Sequence, residues 1–482
     1  MNTQYHERNI SMVMDMYELT MSNGYLNQGF KDTWVAFDVF YRNNPDNGGF
    51  AIFAGLQQVV EYIENLHFSE EDVEYLRSKR LFTEEFLEYL LHFRFRGDIY
   101  AMKEGTVMYP NEPVITVVAP LIDAQLIETT ILLEINHQSL IATKTNRIVQ
   151  AANGKPVSDF GARRAHNVDA AVYGARAAYI GGAAGTATVL AGKMFHIPIS
   201  GTMAHSWVMT FDSEYDAFKA YAESYPDGTV LLVDTYDVLK SGVPNAIRTA
   251  REVLEPMGKK LIGIRLDSGD LAYLSKEARK MLDEAGLSDC MIVASNSLDE
   301  YTISSLNRQG AKIDSYGVGE RLITSSSTPV FGAVYKLVAI QKDGKFIPKI
   351  KISETAEKIT NPGIKEVYRV YDENGKAVAD YLAVKGEQIR DFDPVRYVDP
   401  VNYWKNRSFV GCRFKKLQVP VFEKGKRIYD LPDIEEIRQY VKDQLENEIW
   451  EEEQRFENAH THYLDMSPAM FELKMSLLHE EN

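Results

Sequence analysis

The run Ile197-Pro198-Ile199-Ser200-Gly201-Thr202-Met203-Ala204-His205-Ser206-Trp207 decides how this chain is read. Its apolar opening reads as a short buried strand, which stops at Ser200-Gly201-Thr202 before a histidine begins a helix-like segment. Small polar residues followed by a histidine at a helix start are the layout of a parallel α/β unit, whose functional side chains gather past the C-terminal ends of strands. An imidazole held there can take a proton, a metal ion or a phosphoryl group. A lone histidine is as readily a satisfied core residue, so its neighbours must decide.

Outward from this run the same pattern repeats. Apolar stretches at 157–160, 230–233, 261–266, 291–294 and 313–316 each lead through a glycine-containing or polar junction into an amphipathic helical pattern. Such alternation predicts parallel strands joined by helices. An irregular α/β barrel is expected rather than an open dinucleotide-binding sheet, because functional-looking residues follow nearly every strand and no Gly-x-Gly-x-x-Gly follows the first. The expected catalytic barrel spans 123–340, entered through a long helix over 123–150. Residues 1–122 read as an α+β domain, with a helix over 11–25 that carries Tyr17 and a strand over 34–41 that runs into the turn Asn43 to Gly49. Over 341–482, hairpins turning at Asp343-Gly344 and Asn374-Gly375 are expected partly to complete the N-terminal sheet, followed by an acidic, solvated helix over 434–456. His460 and His462 have no partner at fixed spacing and read as a surface tail rather than a metal pair.

Composition narrows the function classes. The chain has 482 residues, 45% hydrophobic and 25% charged, which is ordinary for a folded protein with several domains. Its 53 basic and 69 acidic residues give a net charge of -16, which argues against nucleic acid or an anionic membrane as partner. Cys290 and Cys412 are the two cysteines, too few for a disulfide framework. No apolar run approaches the roughly 20 residues of a membrane span, and the first twenty residues lack the apolar core of a signal peptide. A cytoplasmic location is expected.

Read in order, the strand ends give Asp159-Phe160-Gly161-Ala162-Arg163-Arg164, Gly201-Thr202 with His205, Asp234, Arg265-Leu266-Asp267-Ser268-Gly269-Asp270, Ser295-Asn296 and Gly317-Val318-Gly319. In a barrel these converge on one face. Arg163, Arg164 and Arg265 supply rigid cationic forks for carboxylate or phosphate, a notable concentration in so acidic a chain. Ser295-Asn296 and the two glycines follow late strands, where backbone N–H groups commonly hold phosphate. The set points to an enzyme with an anionic ligand.

These motifs, with Gly332-Ala333-Val334-Tyr335-Lys336-Leu337, resemble the nicotinate phosphoribosyltransferase family from about Tyr17 to beyond Leu337. The resemblance implies a type II phosphoribosyltransferase fold that works as a homodimer with shared active sites. It implies nicotinate and phosphoribosyl diphosphate as substrates, with ATP and Mg2+ as cofactors. By position, His205 would be phosphorylated by ATP, with Asp234 orienting its ring. Phe160 would stack on nicotinate, with the partner subunit's Tyr17 on the other face. Thr202 and Arg265 would contact nicotinate and Arg163 would join the anionic clamp, while Asp267 and Asp270 would serve the ribose hydroxyls or Mg2+. Ser295, Asn296, Gly317, Gly319 and Thr324 would hold phosphoribosyl diphosphate; the residues that bind metal stay unassigned. Many relatives carry Glu after the phosphorylated histidine, where this chain has Ser206.

Three other readings compete. The nicotinamide enzyme of the same fold would carry an aspartate in a Gly-Thr-Asp-Thr segment, but here the run is Gly185-Thr186-Ala187-Thr188, which suits a carboxylate ligand. A catalytically inactive barrel acting as an interaction protein would not need the ordered Arg, His and Asp set. A metal-dependent aldolase or hydrolase would want converging His and carboxylate ligands, whereas Arg and Gly dominate these strand ends.

Overall fold

The computed structural model describes residues 9–355 and 358–480. The chain divides into two compact units, one of residues 144–329 and the other of residues up to 143 together with those from 330 onward.

In the unit formed by 144–329, six short strands make a wholly parallel sheet: β1 (Val157–Asp159), β2 (Gly185–Thr186), β3 (Val230–Leu232), β4 (Gly263–Leu266), β5 (Met291–Ala294) and β6 (Ser315–Val318). They lie in the order β2-β1-β6-β5-β4-β3. Apolar strand residues such as Val157, Leu231, Ile264, Ile292 and Tyr316 are fully buried, because helices cover parallel strands and leave their side chains no solvent face. The connecting helices are capped by their own sequence: Asn167, Ser213, Asp270 and Asp299 each accept a backbone N–H from the first turn.

The stretch 197–200, expected as a strand, pairs only through Ile199, which bridges Thr186 in parallel. Pro198 has no N–H to extend a ladder, so pairing is limited to Thr186 N to Pro198 O and Ser200 N to Thr186 O. The sheet position beside β1 is taken instead by β2. Gly185 is required there, since a Cβ would come within 2.5 Å of the Pro198 carbonyl oxygen. The final strand is shifted by two residues from the expected 313–316 and ends at Val318.

The other unit is built on a seven-stranded antiparallel sheet ordered Lys345–Pro348, Val334–Lys342, Trp34–Phe40, Ile115–Pro120, Asp98–Met102, Gln418–Glu423 and Lys426–Arg427. Strands from both ends of the sequence therefore share one sheet. Its core includes Val35, Val39, Phe53, Ile115, Val117, Val421 and Phe422. The segment expected as one helix over 123–150 is two helices, Leu121–Gln125 and Glu128–Ala151. The acidic helix is shorter than expected, running Ile434–Asp443 into a π-turn at Gln444–Glu448, and it buries Ile437, Val441 and Gln444.

His462 corrects the expectation of a surface tail. Its ring is buried and stacked on Tyr109 at 3.7 Å, with Nδ1 3.1 Å from Glu453 Oε1 and Nε2 3.6 Å from Asp380 Oδ1. Asp380 in turn receives two hydrogen bonds from the buried Arg369. The neighbouring carboxylates raise the His462 pKa against the opposing effect of burial.

Candidate functional site

A cavity of about 590 Å³ opens at the C-terminal ends of the parallel strands. Phe160, Arg163, Thr202, His205, Arg265 and Asp267 all line it, together with Ala187 and an apolar wall that includes Val189, Ile199 and Leu232. Side chains taken from five separate sequence segments thus meet in one place.

Phe160 follows β1 and is fixed by its neighbours. The buried Asp159 accepts Gly161 N at 2.8 Å and Thr186 Oγ1 at 2.7 Å, so the turn beneath Phe160 is tied on both sides. Burial raises the Asp159 carboxyl pKa, and these two bonds oppose that rise. The Phe160 ring lies against Gly317, where an added Cβ would sit 2.4 Å from ring carbons Cδ2 and Cε2. Gly317 therefore makes room for the ring.

Arg265, on β4, is held from several directions. Its Nε donates to Ser295 Oγ at 2.9 Å, its Nη1 donates to Thr202 Oγ1 at 2.7 Å and to Met203 O at 3.3 Å, and its Nη2 lies 3.2 Å from Asp267 Oδ1. Ser295 Oγ also donates a short bond to Asp267 Oδ1. The guanidinium is 5.9 Å from the Phe160 ring centroid. By contrast, Arg163, on the short turn Ala162–Arg164, makes no hydrogen bond or ion pair among the described residues. Arg164 faces Glu320 at 3.6 Å, with both side chains mostly in solvent.

His205 begins the helix His205–Met209. Its Nδ1 is 3.2 Å from Thr235 Oγ1, while its Nε2 faces Asp234 Oδ1 at 3.9 Å and Asp267 Oδ2 at 3.8 Å. The Asp234 side chain is 1% exposed. Its Oδ2 accepts from Asp267 N and Ser268 Oγ, and its Oδ1 has no hydrogen-bond partner. Thr235 is a site residue that reading the sequence missed. The signal was its place directly after Asp234 at the end of β3, where a hydroxyl is easily taken for loop polarity.

The remaining residues lie outside the cavity lining. Asn296 and Ser297 have φ of 91° and 45°, which makes a left-handed turn directly after β5. Gly319 caps the short helix Glu320–Ile323, and the Thr324 hydroxyl donates to Glu320 O. Asp270 is occupied as the cap of Leu271–Glu284, accepting Tyr273 N. Tyr17 belongs to the other unit, on the helix Met16–Asn27, where it is 42% exposed. Burial and the neighbouring Glu128 push its phenol pKa up.

Comparison with known proteins gives this geometry its context. Residues 12–136 match the nicotinate phosphoribosyltransferase N-terminal domain, 156–374 the nicotinate phosphoribosyltransferase family and 364–474 its C-terminal domain. The nicotinate phosphoribosyltransferase of Bacillus subtilis (strain 168) is 46% identical over 477 residues, covering 99% of this chain and 96% of its own length. The chain belongs to the nicotinate phosphoribosyltransferase family. A second member, from Dictyostelium discoideum, is 36% identical over 96% of this chain and 87% of its own. The crystal structure of human nicotinic acid phosphoribosyltransferase superposes with a TM-score of 0.86 at 27% identity, covering 96% of this chain and 99% of that one. The mixed α/β fold is thus that of the nicotinate phosphoribosyltransferases.

Proposed function

We propose that this chain joins nicotinate to 5-phosphoribosyl 1-diphosphate, giving nicotinate mononucleotide and diphosphate in a step of NAD biosynthesis, and that ATP hydrolysis is coupled to it through His205. The observation that carries the base assignment is Arg163, a guanidinium without a protein partner lining a cavity shared with Phe160 and Ala187. A flat aromatic carboxylate satisfies all three: Phe160 takes the ring face, Arg163 the carboxylate, and Ala187 places no acceptor there to repel it. Arg265 and Thr202, already joined to each other, add a positioned donor surface.

Transfer requires attack by the nicotinate ring nitrogen on the anomeric carbon as diphosphate leaves, so orientation and charge stabilisation do most of the work. The left-handed turn at Asn296 and the strand ends at Gly317, Gly319 and Thr324 supply backbone and hydroxyl donors for the phosphoribosyl diphosphate. Mg2+ usually binds through one or two carboxylates plus substrate phosphates, and the unpartnered Asp234 Oδ1 with the cavity-lining Asp267 fits that donor set. Bound there, it would neutralise charge on the leaving diphosphate. Among the described residues no group of three or more His, Cys, Asp or Glu is placed to hold a metal ion, so this site depends on substrate oxygens. Asp270 stays a helix cap in this reading.

His205 is the side chain best placed to receive the γ-phosphoryl group of ATP. A phosphoryl group adds about 1.5 to 2 negative charges by analogy with other phosphorylated side chains, enough to draw arginines and backbone donors into a tighter site. We further propose a cytoplasmic homodimer in which the partner subunit's Tyr17 covers the nicotinate ring. Free, buried Cys290 and Cys412 suit a reducing compartment. The base assignment is tested by kcat/KM on nicotinate and nicotinamide: strong preference for nicotinate is expected, and comparable values would refute it. For the shared site, mixing Tyr17→Ala and Arg265→Ala subunits should restore part of the activity, because both defects fall in the same one of the heterodimer's two sites. No recovery after verified subunit exchange would refute that arrangement.

A further inference from the structure

We infer that Asp159 and Thr186 form a positioning pair that sets the base selectivity of this site; the inference rests on the reading of the base pocket given above. Phe160 and Ala187 both line the cavity, and each is the first residue past its strand, β1 for one and β2 for the other. β2 has only two residues, so its ladder does little to fix one against the other. What joins them is one buried carboxylate. Asp159 Oδ1 accepts Gly161 N, from the residue after Phe160, at 2.8 Å, and Oδ2 accepts Thr186 Oγ1, from the residue before Ala187, at 2.7 Å. The same hydroxyl accepts Thr188 N at 3.0 Å, and Asp159 O accepts Ala187 N at 2.8 Å. Ala187 is thus held between two anchored neighbours. The helix that follows, Val189–Phe195, has no side-chain cap bond at Thr188 to hold it from the other end.

This chain of bonds needs a carboxylate at 159 and a hydroxyl at 186. Each carboxylate oxygen takes one donor, and the hydroxyl donates to Oδ2 while it accepts from Thr188 N. An amide at 159 has one acceptor oxygen, so with Gly161 N retained its NH2 faces Thr186, whose hydroxyl proton then loses its buried partner. A methyl in place of the hydroxyl strands Oδ2 and Thr188 N together. The backbone bonds from Thr186 N to Pro198 O and from Ser200 N to Thr186 O keep β2 in place, so either change stays local and loosens Ala187 against Phe160. Nicotinate and nicotinamide offer the same ring to Phe160 and differ only in the group that meets Arg163 and position 187. Loosening therefore weakens discrimination between carboxylate and amide before it reaches the phosphoribosyl diphosphate.

The test uses the full-length enzyme and its Thr186→Val, Thr186→Ser and Asp159→Asn variants, with the double variant Asp159→Asn/Thr186→Val. The measurements are kcat/KM on nicotinate and nicotinamide, KM for phosphoribosyl diphosphate, and Tm. Thr186→Val and Asp159→Asn should each lower the nicotinate-to-nicotinamide ratio of kcat/KM roughly tenfold, chiefly by raising KM for nicotinate, with KM for phosphoribosyl diphosphate within about twofold of wild type. Thr186→Ser should keep the wild-type ratio. The double variant should be no less selective than the worse single one, because both changes break the same chain. If Thr186→Val does not fold, Asp159→Asn carries the same comparison. An unchanged ratio in either single variant, parallel rises in both KM values, a serine variant as unselective as valine, or additive losses in the double variant would each overturn the inference alone. Wild type without preference for nicotinate would overturn the reading of the base pocket beneath it as well.

Discussion

Replacing Gly317 by alanine tests whether the Phe160 ring is the platform for the base. The new Cβ would stand 2.4 Å from Cδ2 and Cε2 of that ring. Carbon atoms pack at about 3.5 to 4.0 Å, so the ring must retreat by about 1 Å or more. Asp159 is tied to Gly161 N and Thr186, which leaves the backbone little freedom to share the movement, and the displacement falls on the aromatic face turned to the cavity. A shift of this size in a positioning group costs about a hundredfold in rate, and overpacking costs about 1–3 kcal/mol in stability. The assay is kcat/KM for nicotinate at saturating phosphoribosyl diphosphate, with Tm measured alongside. Pairing Gly317→Ala with Phe160→Leu separates the two effects: the smaller side chain should recover Tm while activity stays low. Wild-type kcat/KM in a folded Gly317→Ala enzyme would show that the ring does not position the base.

Arg163→Ala should raise KM for nicotinate at least tenfold and leave Tm unchanged, since Arg163 supports no other described residue, whereas Arg265→Ala should lower both activity and Tm by releasing Ser295, Thr202 and Asp267. Ala187→Asp should weaken nicotinate use by like-charge repulsion at the cavity wall, seen as a raised KM; an unchanged KM would mean that position 187 does not face the ligand. Burial raises the Glu18 pKa from 4.5 to about 7, so the folded state binds this proton more tightly than the unfolded chain and loses stability as pH rises from about 4.5 through 7. Glu18→Gln, which mimics the protonated acid, should therefore gain Tm over wild type increasingly from about pH 5 to 7 and level off above that; a pH-independent difference across this range would refute the assignment.

Legibility in the sequence followed the range of the interactions. Five of the parallel strands announce themselves as apolar runs, because strands covered on both faces have no polar alternation to hide them. β2 does not: it has two residues, Gly185 and Thr186, and owes its place to a close approach by Pro198 that no local pattern encodes. Arg163, Thr202, His205, Arg265 and Asp267 were readable because each lies in the last residues of a strand or past the end of a strand-like run, and the topology carries such positions to one cavity. The contact between Thr235 and His205 was not, since it depends on where a side chain thirty residues away points. Likewise His462 looked like tail from its neighbours. Its burial is set by Tyr109, Asp380 and Glu453, which the sequence keeps far apart.

The most direct test of the account is the ATP hydrolysed per nicotinate mononucleotide formed, measured side by side in wild type and His205→Ala. Wild type should hydrolyse ATP in step with product formation and form product faster when ATP is present. His205→Ala should form product slowly, because Arg163, Arg265 and the turns proposed to hold phosphate are intact, with no ATP hydrolysis and no stimulation by ATP. If His205→Ala still couples ATP hydrolysis to nicotinate consumption, the role assigned to His205 is wrong.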